Sequence, residues 1–181
     1  MLNRTKKLTP ILLVAVFLAV SAVPAMAAPP GPTIVDVALA ANAEGGPFEG
    51  VFDTLIAALL AADPAVLATL SGNGQHTVFA PTDDAFAALG LNPDNIGDLP
   101  QEALTQILLY HVAPGRRYAE DVIYSERIRT LYGRGQMGLL DQYDGVLTDN
   151  LGREANIIVT DVEAANGIIH AIDAVVLPFA P

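Results

Sequence analysis

The stretch Thr77-Val78-Phe79-Ala80-Pro81-Thr82-Asp83-Asp84-Ala85-Phe86 changes secondary structure within ten residues. Thr77 to Ala80 is short and apolar and suits a pleated strand, and Pro81, with no amide to give to a ladder, ends it. Thr82 then offers a hydroxyl to the free amides of a first helical turn. Asp83 and Asp84 place negative charge where the helix dipole favours it, ahead of Phe86 and Leu89.

Upstream, residues 34–43 and 48–62 carry apolar side chains at helical spacing; in the second segment Phe48, Phe52, Leu55, Ile56, Leu59 and Leu60 fall at steps of three and four. Pro64 suits the first position of another helix, which Ser71-Gly72-Asn73-Gly74 breaks. Downstream, a helix is predicted from near Pro100 to about Val112, with Leu104, Ile107, Leu108 and His111 on one face. Beyond Arg127 the period shifts towards two, and residues 127–132, 136–140, 146–148, 156–160 and 167–177 read as strands, with Asp144-Gly145 as a hairpin turn. Helices crowd the first half and strands the second without βα alternation, which gives an α+β class with a largely antiparallel sheet. Phe79, Phe86, Ile107, Leu108, Ile168 and Ile172 are expected in its core.

The chain opens with Arg4, Lys6 and Lys7, an apolar run from Ile11, and Ala25-Met26-Ala27, the three parts of a secretory signal cleaved after Ala27. The thirteen residues from Ile11 to Val23 fall short of the roughly 20 that cross a bilayer, so no membrane span is expected once the signal is removed. Residues 28–32 then form a flexible leader and 33–181 one domain. Cleavage takes away three of nine basic residues and none of twenty acidic ones, deepening the formal charge from −11 to −14. Such a surface repels nucleic acid. The six remaining basic residues, Arg116, Arg117, Arg127, Arg129, Arg134 and Arg153, all lie in the second half, where they read as solvated charges before they read as an anion site.

Catalytic chemistry has little to work with. There is no cysteine, Ser71 and Ser125 lie in no nucleophile elbow, and His76, His111 and His170 form no helical metal pair. His111 on an apolar helical face and His170 between Ile168 and Ile172 suit buried, hydrogen-bonded imidazoles. The carboxylates lack the spacing of a calcium loop. No catalytic residue, metal or cofactor is assigned.

The opening stretch and a second one, Asn166-Gly167-Ile168-Ile169-His170-Ala171-Ile172-Asp173 followed by Val175-Val176-Leu177-Pro178, resemble the two boxes of the fasciclin domain family. Between them, Leu108-Leu109-Tyr110-His111-Val112-Ala113-Pro114-Gly115 is similar to the family's Tyr-His segment. Thr77, Phe79, Pro81, Thr82, Asp83, Phe86, Asn166, Gly167, His170 and Asp173 carry the motif. The resemblance implies N-terminal helices packed on a β-sandwich or wedge, and an extracellular, non-catalytic adhesion module whose partner is a protein or polysaccharide. Weak self-association stays open. The resemblance also carries over, weakly, a contact role for Tyr110 and His111 and for Asp161-Val162, where Val162 replaces the family's isoleucine. The competing reading of Tyr110 and His111 is that they pack the core. The competing function is a carrier of a small apolar ligand held in a cleft between helices and sheet.

Overall fold

The computed structural model describes residues 29–133 and 138–179. The signal-like segment, Arg134 and the first two residues of the strand expected at 136–140 lie outside the described residues. Three helices come first: α1 (Ile34–Asn42), α2 (Asp53–Ala61) and α3 (Pro64–Ser71). Strand β1 (His76–Pro81) leads into α4 (Asp83–Ala87), a 3-10 turn (Ile96–Asp98) and α5 (Gln101–Tyr110). Then follow β2 (Val112–Pro114), α6 (Ala119–Ile123), β3 (Arg127–Arg129), β4 (Leu139–Tyr143), β5 (Val146–Thr148), β6 (Glu154–Ala164) and β7 (Gly167–Ile172).

The strands form one sheet in the order β2-β1-β7-β6-β5-β4-β3, antiparallel except where β1 runs parallel to β7. The Leu131 amide donates to the Val112 carbonyl at 2.7 Å, so the sheet's two edges meet and the sheet folds into a wedge. Phe79, Tyr110, Val122, Ile128, Leu140 and Ile172 fill the inside of the wedge. A second apolar core lies between the helices and the outer face of β1 and β7. Every residue of β7 is buried, because both of its faces are covered.

The expected elements mostly appear, with local corrections. Helix α2 starts at Asp53 and not at Phe48: Gly50 takes φ +64, and Asn42 at the end of α1 accepts from the Phe52 amide while its own amide donates to Asp53. The helical spacing of Phe48 and Phe52 reflects an edge-on ring contact in the connection, with centroids 5.8 Å apart. Strand β3 ends at Arg129, short of the expected 132. Strand β7 ends at Ile172, and the tail after it is held by side chains: the Val176 amide donates to His111 and the Leu177 amide to Asp149. Ile107 is only half-buried, whereas the other five expected core residues are buried. Asp144 and Gly145 both take positive φ, 50 and 83, and close the β4–β5 hairpin.

Candidate functional site

The motif residues gather where distant segments meet. Thr82 caps α4 through the Ala85 amide, but Asp83 reaches across to α2, accepting from the Thr54 amide at 2.8 Å and the Asp53 amide at 3.3 Å, and so caps a helix whose own N-cap, Phe52, has no polar side chain. Buried Asn166 accepts from the Ile34 amide at 2.7 Å and donates to the carbonyls of Leu70 and Gly72 at 2.7 and 2.8 Å. One side-chain amide thereby satisfies the free start of α1 and the free end of α3. A Cβ on the next residue, Gly167, would collide with the His76 carbonyl oxygen and lie 2.6 Å from Ile34 Cδ1. Asp173 grips Asn156 through both carboxylate oxygens, and the Thr77 hydroxyl bridges the Gly115 carbonyl and the Arg117 amide.

Both motif histidines are buried, neutral and held in opposite tautomers. His111 donates from Nδ1 to the Ile107 carbonyl at 2.8 Å and accepts at Nε2 from the Val176 amide, and burial pushes its pKa down to about 4. His170 donates from Nε2 to the Arg117 carbonyl at 2.9 Å, accepts at Nδ1 from the Asp161 amide, and stacks on Phe79; burial lowers its pKa too. Tyr110 is fully enclosed, its hydroxyl donating to the Leu139 carbonyl at 2.9 Å, and burial raises its pKa to about 12.

The four residues carried over as contacts do not share a surface. Tyr110 and His111 are interior, and Val162 is half-buried against the helix-side core. Asp161 is exposed, at φ 60 beside an irregularity in β6, and its carboxylate accepts from the Ala119 amide at 2.8 Å, holding the start of α6. Three of the described arginines are already engaged: Arg127 pairs with Asp141 at 2.9 Å, Arg153 with buried Asp149 at 2.8 Å, and Arg116 donates to the Ala164 carbonyl and lies 3.9 Å from Glu163. Among the described residues no group of three His, Asp or Glu could hold a metal ion.

Two further features bear on binding, the first missed by the sequence reading and the second a space of the kind the apolar-ligand reading requires. At the end of the wedge, an open cleft is lined by Ile123, Tyr124, Glu126, Gln142, Tyr143 and Asp144, and its tyrosines are 80% and 84% exposed. Buried Gln142, with its amide nitrogen turned to α6, donates to the carbonyls of Val122, Ile123 and Ser125 and accepts from the Asp144 and Gly145 amides, so it fastens α6 to the hairpin turn. Between α1, α2, α3 and the outer face of β1 and β2 lies a cavity of about 330 Å³, into which Ile56, Leu67, Val78 and Val112 project.

The model of the fasciclin domain matches residues 50–178 of the chain. The chain belongs to the fasciclin family. Protein sll1483 of Synechocystis is 43% identical to it over 129 residues, 70% of this chain and 67% of that one. Transforming growth factor-beta-induced protein ig-h3 of Sus scrofa is 30% identical over 155 residues, 84% of this chain but 20% of the pig protein. The FAS1 domain pair of the insect cell adhesion molecule fasciclin I superposes with a TM-score of 0.54 at 21% identity, covering 74% of this chain and 46% of that one, a likeness of fold. In this fasciclin domain the motif residues are chiefly fasteners: Asp83, Asn166, Asp173 and His170 each bond to backbone remote in sequence.

Proposed function

We propose that this fasciclin domain is a secreted binding module that attaches to an extracellular polysaccharide or surface protein through the cleft between α6 and the β4–β5 turn. The exposure of Tyr124 and Tyr143 side by side is the observation that carries the reading. Tyrosine offers a large rigid apolar face at little entropic cost and is enriched where binding energy concentrates. Glu126 and Asp144 line the same cleft and accept hydrogen bonds, a combination that suits hydroxyl-rich, uncharged sugars. Gln142 holds both walls in place, so little ordering is left for a partner to impose. Asp161 takes part indirectly, anchoring the start of the helix whose far end presents Tyr124. The proposal assigns no reaction to the domain.

Saturable binding of the exported protein to envelope fractions and to uncharged glycans tests it. Replacing Tyr124 and Tyr143 by serine leaves the core untouched, so the circular dichroism spectrum stays the same while affinity drops by about tenfold or more. Undiminished binding by the double variant overturns the assignment of the face.

A further inference from the structure

We infer that the cavity beneath α1, α2 and α3 is a binding site for one uncharged apolar molecule of the fatty-alcohol or ester kind. It shares no residue with the tyrosine cleft. Its volume, about 330 Å³, is roughly twice the ~150 Å³ of an engineered apolar cavity that takes up benzene, which gives room for about a dozen carbon atoms. Cavities of this lining stay dry. Interiors are otherwise close-packed, with few voids larger than a water molecule. Val35, Leu55, Ile56, Leu59 and Leu67 border the cavity and are only half-buried. Leu39 and Leu60, 47% and 72% exposed, also belong to its lining and give it an apolar mouth on the surface.

The lining also says what the ligand lacks. Its one side chain with polar atoms is His111, and both ring nitrogens are already committed, to Ile107 and Val176. Nothing inside pairs with a charge, so the buried part is hydrocarbon. The helices that roof the cavity and their connections carry Asp36, Glu44, Glu49, Asp53 and Asp63 and no lysine or arginine; the first lysine or arginine after residue 28 is Arg116. A carboxylate or phosphate head approaching these helices enters a field of like charge. An alcohol or ester head does not.

Fluorescence titration of the exported protein with N-phenylnaphthylamine, a neutral apolar probe, tests the site. The expected result is saturable one-to-one binding, reversed by decanol, with decanoate at pH 8 weaker than decanol by about tenfold or more. Val35→Phe, which fills the cavity, and Leu60→Asp, which charges its exposed mouth, should each weaken probe binding by about tenfold or more with thermal unfolding of Leu60→Asp unchanged. Absence of saturable binding, undiminished affinity in both variants, or decanoate binding as well as decanol overturns the inference. So does flotation with uncharged phosphatidylcholine vesicles without uptake of free probe, which would make the apolar helices a membrane-docking face. A concentration-dependent dimer that excludes the probe overturns it equally.

Discussion

Asn166→Ala should cost about 3–5 kcal/mol of stability. The wild-type side chain makes bonds of 2.7, 2.7 and 2.8 Å to three main-chain groups and is fully buried, so truncation orphans the Ile34 amide and the Leu70 and Gly72 carbonyls together. An orphaned buried group costs about 1–3 kcal/mol. The Gly72 carbonyl, in a half-buried loop, regains water and offsets part of the sum, which leaves the stated figure. At about 2–4 °C per kcal/mol for a domain of this size, the melting temperature falls by roughly 6–20 °C. Urea unfolding followed by far-ultraviolet circular dichroism measures it, since the chain has no tryptophan. Asn166→Asp sharpens the test. It keeps the acceptor for Ile34 but turns a carboxylate oxygen towards two carbonyls, so at pH 7 it should be no better than alanine. A loss below about 1 kcal/mol in the alanine variant, or an aspartate variant close to wild type, refutes the view that this residue joins α1 to α3.

The neutral histidines predict acid sensitivity. The folded pKa of His111, about 4, lies below the ordinary histidine value of 6.5, so the unfolded chain binds the proton first; stability is intact above about pH 6.5 and declines towards pH 4, by about 3 kcal/mol from this residue. His111→Asn should flatten that part of a stability-against-pH curve, and an unchanged slope would show that another group titrates there. Gly167→Ala should be far more damaging than Gly152→Ala: the first drives a Cβ into the His76 carbonyl, while the second, at φ +76 with nothing within 4 Å, meets only the roughly 1–2 kcal/mol strain of a left-handed backbone. Equal melting temperatures would sink that contrast. Asp83→Ala should cost about 1 kcal/mol by uncapping α2, read as a lower urea midpoint, and no shift would show that solvent replaces the carboxylate.

Local signals in the sequence carried the local structure. Thr82 as a helix cap, Pro64 as a first helical residue and Asp144-Gly145 as a turn act within a few positions, and each stands where those rules place it. Interactions that span the chain were silent. That Asp83 caps α2 rather than its own helix depends on a contact across 29 residues, and the Asn166 clamp to Leu70 spans 96. Helix α6 has five residues and takes one cap from Asp161 on β6, so no periodicity announced it. The tyrosine cleft had half a signal: in β4, buried Leu140 and Gln142 alternate with exposed Asp141 and Tyr143, a pattern that marks Tyr143 as outward-facing. The cavity had none, because a row of leucines and alanines reads the same whether the space between them is filled or empty.

The parallel pairing of β1 with β7 sets a timetable for biosynthesis. A nascent chain that has reached residue 165 has every described helix and six of the seven described strands in sequence, yet it lacks the strand that joins β1 to β6 and the side chain that fastens α1 to α3. Contacts so far apart along the chain form late. Until β7 arrives, the apolar faces of α1, α2 and α3 lack part of the sheet that covers them, an exposure that favours aggregation.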